Sequence, residues 1–342
     1  MGRKMSHNTL HATIAATDVS FDCNPAQSVL DNALAAGIEL PYSCRKGVCG
    51  SCAGRVASGE VTGLHGGPVR NDTCADDEVL YCLCAAASDI VLAPHGWKRI
   101  DPGARKKIAA KVYSNHLAAS DVSVLRLRFP AGQKVKFAAG QYLQVRMEDG
   151  SSRSYSMANP PHENDGAILH IRHVQDGVFS ARVAGLAPGD VLEIEMPFGH
   201  VHLPEDDLRP IVFVAGGTGF APVKAIIDDL MRKRAKRQVT LIWGARNAAG
   251  LYMLAAIDRW RRQWPDFRFL PAISDDPAAD IADAFAGRAD QALQASCPNL
   301  QDHVVYCCGS PGMVTAVRQA ALASGAQPDD FHADAFVPGP AG

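Results

Sequence analysis

The chain has 342 residues, roughly two to three times the usual length of a domain, so its length predicts two or three domains. Its 47% hydrophobic and 20% charged residues exclude a disordered, collagen-like or coiled-coil chain. A formal net charge of −2 provides no basic field for nucleic acid or an anionic membrane. With no secretory signal and no apolar run near the ~20 residues of a membrane helix, we expect a cytoplasmic protein with no nucleic-acid or membrane partner.

Seven of the ten cysteines fall in the first quarter of the chain, a clustering that indicates metal or redox chemistry rather than a disulfide scaffold. The same region begins with an apolar alternation at Leu10, Ala12 and Ile14, which predicts a strand. Residues 28–36 predict a helix, with Ser28 as its N-cap and Gly37 as its C-cap.

Three of these cysteines, Cys44, Cys49 and Cys52, form the pattern C-x4-C-x2-C. Glycines at positions 47 and 50 allow the backbone to curl and to aim N–H groups at cluster sulfurs. A structural zinc site is the alternative, but such sites usually combine two short Cys-x-x-Cys elements and only one is present. The spacing resembles the cluster loop of a plant-type [2Fe–2S] ferredoxin, which needs a distant fourth thiolate.

The fourth thiolate is either Cys82 or Cys84. Both lie near a strand-like segment, residues 79–83, and at two residues apart they would share one face of a strand. In plant-type ferredoxins 29 residues separate the third and fourth ligands, and 29 residues separate Cys52 from Cys82. The resemblance therefore favours Cys82, and we expect Cys84 and Cys74 to be buried small apolar side chains.

A basic segment with glycine and proline, residues 97–107, predicts a linker. Beyond it, short alternating segments separated by turn signals predict an antiparallel barrel or sandwich, with strands at 123–129, 142–147, 169–174 and 191–196. From Pro210, apolar segments alternate with helix-length segments and predict a parallel α/β sheet, with strands at 211–215, 239–243, 268–273 and 303–308. The basic run 231–237 predicts a solvated helix end.

The segment Arg153-Ser154-Tyr155-Ser156 resembles the R-x-Y-S/T motif of the ferredoxin–NADP reductase superfamily. The resemblance implies that Arg153 binds the flavin pyrophosphate, that Tyr155 lies against the isoalloxazine ring and that Ser156 lies near the flavin N5. The family's second phosphate contact falls on four residues: Gly177, Val178, Phe179 and Ser180. The strand on the adenine side in relatives contains His170, Ile171 and Arg172, although a lone histidine there is also an ordinary strand residue.

A strand, a glycine turn and a helix start follow at residues 212–222, and they resemble the superfamily's G-G-T/S-G-x-x-P motif. Four residues of this turn are expected to admit the nucleotide phosphates: Gly216, Gly217, Thr218 and Gly219. Cys308 begins a second motif, C-G-x-P-x-M, which continues through Gly309, Ser310 and Pro311. In relatives this cysteine sits beside the nicotinamide C4; a buried structural cysteine is the alternative. Phe336 ends a carboxylate-x-aromatic pattern whose ring covers the flavin in relatives.

Together the motifs resemble, across nearly the whole chain, the reductase components of bacterial ring-hydroxylating dioxygenases. The resemblance implies a β-grasp ferredoxin domain (1–96), an FAD-binding β-barrel (108–205) and an NAD(P)-binding α/β domain (208–342). It also implies FAD, a [2Fe–2S] cluster and a Rieske-type oxygenase partner, with Ser156, Thr218, Cys308 and Phe336 as catalytic residues. A nicotinamide gives up two electrons as a hydride and the cluster accepts one at a time, so the flavin stands between them.

Coenzyme choice depends on the end of the second nucleotide strand. No carboxylate follows that strand before Asp258, and Arg246 is placed to receive a 2′-phosphate, so we expect NADPH, with NADH also possible. Alternatively, Arg246 stacks on adenine or pairs with a surface carboxylate. The competing functions are a stand-alone flavin reductase, a reductase for another acceptor such as a deoxysugar dehydratase, and a redox sensor that binds nucleotide without catalysis.

Overall fold

The computed structural model describes residues 9–101, 103–174, 177–199, 203, 207–276 and 281–337. The chain forms two compact units that divide between Gly103 and Ala104. Within the described ranges, no helix is long and apolar enough to cross a membrane.

The described residues of the first unit form one α-helix and nine strands, which are β1 (Leu10–Ile14), β2 (Ser20–Cys23), α1 (Val29–Ala35), β3 (Ile38–Glu39), β4 (Ala53–Ser58), β5 (Val61–Gly63), β6 (Glu78–Leu80), β7 (Cys84–Ala86), β8 (Ile90–Pro94) and β9 (Lys98–Arg99). Five strands form a mixed sheet in the order β2-β1-β8-β4-β6, in which β1 and β8 are parallel. Two small ribbons pair β3 with β9 and β5 with β7. The arrangement is the predicted β-grasp fold.

Helix α1 begins and ends where its capping residues predict. The Ser28 hydroxyl accepts a hydrogen bond from the backbone N–H of Asp31 at 3.0 Å, which satisfies one free donor of the first turn. Gly37 follows the helix with a φ of +75°, a conformation that glycine adopts without steric cost. Leu30 is fully buried and holds the helix against the unit's core.

The first part of the second unit is an antiparallel barrel with a short helix, built from β10 (Lys106–Ala119), β11 (Val122–Arg128), β12 (Tyr142–Arg146), β13 (Ser152–Ser156), β14 (Gly166–Arg172), α2 (Val178–Val183) and β15 (Val191–Phe198). The strand order is β13-β12-β15-β10-β11-β14. A bridge between Met157 and Leu169 joins the two edges of this sheet and closes it. Leu192, Ile194 and Met196 alternate inward along β15 and are buried in the barrel core.

The rest of the second unit is a parallel sheet with helices, built from β16 (Ile211–Gly216), α3 (Phe220–Arg232), β17 (Val239–Ala245), α4 (Leu254–Gln263), β18 (Phe267–Ile273), β19 (Phe285–Ala286), α5 (Ala289–Ser296), β20 (Val304–Gly309), α6 (Pro311–Ala323) and β21 (Phe331–Ala335). The strands are parallel and lie in the order β19-β18-β17-β16-β20-β21. The chain adds strands on one side of β16 as far as β19 and then crosses to the other side to form β20 and β21, so the strand order reverses between β16 and β20. In open α/β sheets, ligands bind at the carboxyl ends of the strands beside this reversal.

One expectation about the nucleotide sheet is wrong. The basic run does not form a uniformly solvated helix end, because α3 ends at Arg232 and Arg237 is only 4% exposed. Arg237 lies two residues before β17, a central strand, and the chain must enter the protein interior there. Burial lowers the pKa of this guanidinium, with Asp207 acting in the opposite direction.

Candidate cofactor and coenzyme sites

The four predicted cluster cysteines lie together in the first unit as two hydrogen-bonded thiol pairs. Cys44 pairs with Cys49, and Cys52 pairs with Cys82. Cys44 is half-buried and the other three are buried. The hydrogen bond from Cys49 and those from backbone N–H groups, including that of Lys46 at 3.4 Å, lower the pKa of Cys44 to about 6 against the opposing effect of burial. The loop therefore favours the thiolate of Cys44, the form that binds iron, while the same hydrogen bond raises the pKa of Cys49.

This arrangement fits a two-iron cluster. In the described ranges, no group of three or more His, Cys, Asp or Glu side chains is gathered as for a single metal ion. The thiols are instead grouped two by two, which matches two thiolate ligands on each iron of a [2Fe–2S] centre. Gly47 and Gly50 have φ values of +72° and +79°, so the loop follows a path that other residues rarely adopt.

The structure distinguishes Cys82 from Cys84 as the fourth ligand, whereas the strand pattern of the sequence does not. The expectation that the two share a strand face is wrong, because β6 ends at Leu80 and a turn, closed by the Leu83 N–H and the Leu80 carbonyl at 2.8 Å, precedes β7. Cys82 lies in this turn. Cys84 begins β7, is fully buried, and has its pKa raised to about 12 by burial and by Cys82. Cys74, expected to be buried, is half-buried.

The two predicted flavin segments meet on the barrel. The rings of Tyr155, on β13, and Phe179, in α2, lie 5.3 Å apart. Burial raises the pKa of Tyr155 to about 12, so its hydroxyl stays neutral. The Arg153 guanidinium donates at 3.1 Å to the Ser151 hydroxyl and to the Ser152 carbonyl, and it forms no ion pair with another described residue. Its charge therefore remains available to an anion.

Gly177 is the N-cap of α2, and Val178, its first residue, is 44% exposed. The Ser180 hydroxyl turns back toward the preceding loop, where it donates to the Val174 and Gly177 carbonyls at 3.2 Å. Ile171 points into the barrel core and is 1% exposed, so contact of its side chain with a cofactor would require the core to open.

Ser156 joins the barrel to the end of the nucleotide sheet. Its hydroxyl donates to the Asp334 carboxylate at 3.3 Å, and both residues are buried. Burial, followed by the charge of Asp334, raises the pKa of Cys308 far above its usual range, so this thiol stays protonated. The backbone N–H of Phe336 donates to the Gly309 carbonyl at 2.8 Å, which holds Phe336 beside the end of β20 and next to Cys308. Asp334 is absent from the sequence-based candidates, although the carboxylate-x-aromatic pattern contains it.

A second connection between barrel and nucleotide sheet runs through His170. Its Nδ1 is hydrogen-bonded to the Tyr252 hydroxyl at 3.0 Å, and the Tyr252 ring meets Trp243 edge-on at 5.3 Å. The Trp243 indole N–H in turn donates to the Gly217 carbonyl at 3.0 Å. Burial lowers the pKa of His170 to about 3, so the imidazole is neutral at physiological pH. His170 is thus buried and is linked to the glycine turn through Tyr252 and Trp243.

A cavity of about 800 Å³ opens at the carboxyl ends of the nucleotide strands. Five sequence-predicted residues line it, namely Arg172, Gly216, Gly217, Arg246 and Ser310. Gly219 does not line the cavity but packs tightly against the end of β20, where a Cβ on it would fall 2.1 Å from the Cys308 carbonyl oxygen. The cavity therefore lies where the strand reversal predicts a nucleotide.

The cavity contains charged side chains that the sequence pattern does not reveal. Arg288 forms two hydrogen bonds with Asp290, at 2.7 and 2.9 Å, and Arg172 is paired with Asp121. Arg246 has no ion pair with any described residue. Asp121, Arg288 and Asp290 come from the turn before β11 and the start of α5, far in sequence from the motifs, and no local signal marks them.

Three domain families match the chain. The "2Fe-2S iron-sulfur cluster binding domain" matches residues 12–87, the "Oxidoreductase FAD-binding domain" residues 109–203 and the "Oxidoreductase NAD-binding domain" residues 213–319. These matches confirm the predicted order of cofactor domains.

Full-length relatives extend this finding. The chain is 57% identical over 327 residues to the terephthalate 1,2-dioxygenase reductase component 2 of Comamonas sp, covering 95% of this chain and 97% of the relative. It is 35% identical over 331 residues to the CDP-6-deoxy-L-threo-D-glycero-4-hexulose-3-dehydrase reductase of Yersinia pseudotuberculosis, covering 96% and 99%. Among solved structures, the Amycolatopsis cytochrome P450 reductase matches with a TM-score of 0.76 and 30% identity, covering 96% and 99%.

Proposed function

We propose an acceptor for this chain, which belongs to the family of NAD(P)H-dependent iron–sulfur flavoprotein reductases that serve oxygenases. The acceptor is a Rieske-type oxygenase that acts on terephthalate. The observation that carries this proposal is the 57% identity to a terephthalate dioxygenase reductase over nearly the full length of both chains. Electrons pass from NADPH through FAD and the [2Fe–2S] cluster to the oxygenase.

The domain boundaries are part of the proposal. The ferredoxin domain spans residues 1–96, the linker 97–107, the FAD-binding barrel 108–205 and the NAD(P)-binding domain 208–342. The start of β16 at Ile211 supports the last boundary, and β10 begins at Lys106, two residues before the proposed start of the barrel. The location of the protein is the cytoplasm, where NADPH is available.

Cys44, Cys49, Cys52 and Cys82 hold the cluster. Their pairing into two thiol pairs supports this assignment, as does the lowered pKa of Cys44. Backbone N–H groups of the loop point at the Cys44 sulfur and stabilise its negative charge.

FAD, when bound, accepts a hydride and passes electrons on one at a time. Arg153 provides a cation for its pyrophosphate, assisted by the loop of Gly177, Val178, Phe179 and Ser180, while Tyr155 supplies a neutral ring. The Ser156 hydroxyl is oriented by Asp334, which supports a positioning role beside the reacting ring. Strand β14 completes the barrel side of the site, through the backbone at His170 and Ile171, whose side chains are buried, and through the guanidinium of Arg172.

The coenzyme occupies the cavity above the nucleotide sheet. Its phosphates meet the turn of Gly216, Gly217, Thr218 and Gly219 and the loop of Gly309, Ser310 and Pro311. Cys308, which burial keeps protonated, acts as a neutral group beside the nicotinamide and not as a nucleophile. Thr218 orients the nicotinamide, and Phe336 covers the flavin until the nicotinamide arrives.

Arg246 selects NADPH by binding the 2′-phosphate. Its lack of an ion pair among the described residues supports this role, because its charge is not already neutralised. Anaerobic stopped-flow reduction with NADPH and NADH tests it, in the wild type, Arg246→Ala and the exposed control Arg262→Ala. We expect the wild type to prefer NADPH and only Arg246→Ala to lose that preference, by a factor of about 10 or more. A wild type that prefers NADH, or a loss shared equally by both coenzymes, contradicts the assignment.

The 35% match to a deoxysugar dehydrase reductase supports a second candidate acceptor, a deoxysugar dehydratase. Addition of NADPH under anaerobic conditions should bleach both the flavin and the cluster absorbance, which excludes a sensor that only binds nucleotide. Turnover with each acceptor then separates the reductase functions, and a free flavin substrate tests the stand-alone reductase.

A further inference from the structure

Carboxylates line the coenzyme cavity beside its arginines, although the coenzyme is itself an anion. Asp121 comes from the turn between β10 and β11 and is paired with Arg172 at the end of β14. The Arg172 and Asp121 side chains are 36% and 45% exposed, so a ligand in the cavity can reach both. The pair belongs to the barrel, whereas Arg246 belongs to the nucleotide sheet.

The fold keeps Asp121 next to Arg172. Val122, the residue after Asp121, is opposite Arg172 in the register of β11 and β14. The Asp121 carbonyl also accepts a hydrogen bond from the His173 N–H at 2.7 Å, which fixes the turn to the end of β14. The carboxylate is therefore a counter-ion held at high effective concentration, and any other anion must compete with it.

Arg172 lies against the glycine turn. A Cβ on Gly217 would fall 3.1 Å from the Arg172 Nη2, so the guanidinium is in contact distance of this turn. A glycine turn leading into a helix is where dinucleotide folds hold the diphosphate. The diphosphate is common to NADPH and NADH, whereas the 2′-phosphate read by Arg246 is present in NADPH alone.

We propose that Asp121 is an internal competitor of the coenzyme diphosphate. It pairs with Arg172 when the cavity lacks coenzyme, and the diphosphate displaces it on binding. Asp121 thereby weakens the binding of both coenzymes by one common factor, in the reduced and the oxidised form, and so favours dissociation of every form, including the oxidised product. The inference rests on the proposed binding of coenzyme in this cavity.

Asp121→Asn keeps the shape of the side chain and removes its charge. We expect the Kd of NADP⁺ and of NAD⁺, measured by calorimetry on the FAD-containing protein, to fall by the same factor of about two to five, the range expected of a partly exposed ion pair. Inorganic pyrophosphate should compete better in this variant by a similar factor. The gain should shrink at high salt, because salt screens exposed charges.

Two further variants make the test specific. Asp190→Asn removes a charge from an exposed barrel turn that does not line the cavity, and we expect no change in either Kd. Arg172→Gln removes the cation and should weaken both coenzymes. Asp121→Ala provides a second way to remove the carboxylate and should give the same tightening as Asp121→Asn.

Unchanged or weaker binding in both Asp121 variants would overturn the proposal, and tightening of NADP⁺ alone would assign the pair to the 2′-phosphate instead. Failure of the NADPH assignment would give a different result. The wild type would then prefer NAD⁺, but the Asp121 variants would still bind both coenzymes more tightly by the same factor. A wild type to which neither coenzyme bound would contradict both proposals.

Discussion

The cluster loop and the coenzyme cavity are built in opposite ways. Three of the four cluster thiols come from nine consecutive residues, and the atoms that bind iron are side-chain sulfurs. The cavity instead combines a barrel turn, the ends of several strands and the starts of two helices, and it offers glycine backbone and separate charges. Loss of one of the four iron ligands should therefore abolish binding of the cluster. Loss of one of the many weaker contacts in the cavity should only lower the affinity for the coenzyme.

The largest expected effect is at Cys82. Cys82→Ser should abolish the cluster's visible absorbance and bound iron, because one iron loses a thiolate. The flavin should remain bound and reducible, since the FAD-binding barrel lies in the other compact unit. Cys84→Ser is the matched control and should retain the cluster. Loss of the cluster in Cys84→Ser alone would reverse the ligand assignment.

The second effect concerns the backbone of the coenzyme site. Gly219→Ala places a Cβ 2.1 Å from the Cys308 carbonyl oxygen, so the turn or the end of β20 must shift. We expect the KM for NADPH to rise about fivefold to a hundredfold, from an overpacking cost of about 1–3 kcal/mol, with FAD still bound. Gly185→Ala, whose Cβ would have its nearest neighbour at 3.7 Å, should leave the KM unchanged. Equal behaviour of the two variants would mean that close approach at Gly219 is not required.

The smallest effect is a pH-dependent contribution of His170 to stability. Its folded pKa of about 3 lies below the ordinary 6.5, so the stability of the neutral form is present above pH 6.5 and is lost as the pH falls toward 3. Urea unfolding should show His170→Asn destabilised by about 1 kcal/mol at pH 7.5, from the lost contact with Tyr252. At pH 5.5 the deficit should shrink by roughly 1 kcal/mol.

The exposed His162→Asn serves as the control for this measurement, and its stability should differ little from that of the wild type at either pH. A deficit in His170→Asn that stays constant between pH 7.5 and 5.5 would contradict a buried neutral imidazole.

The same contrast explains which features the sequence could predict. Strands of the nucleotide sheet are buried on both faces, so continuous apolar runs locate them to within a few residues. Asp121 could not be predicted as a neighbour of Arg172, 51 residues away, because tertiary structure alone assembles a cavity from distant segments.

The cysteine region shows the limit of a local pattern. The ligand spacing predicts Cys82, but strand periodicity missed the turn that separates it from Cys84, since the segment is apolar throughout. Periodicity reports burial, and a buried turn and a buried strand give the same signal.

The most direct test of the central claim is NADPH-driven turnover of a purified terephthalate dioxygenase oxygenase component. The account predicts hydroxylated product in proportion to NADPH consumed with the wild type, and none with Cys82→Ser although its flavin is still reduced. A wild type that reduces its own flavin and cluster but drives no product, while a deoxysugar dehydratase or free flavin is turned over, would contradict it.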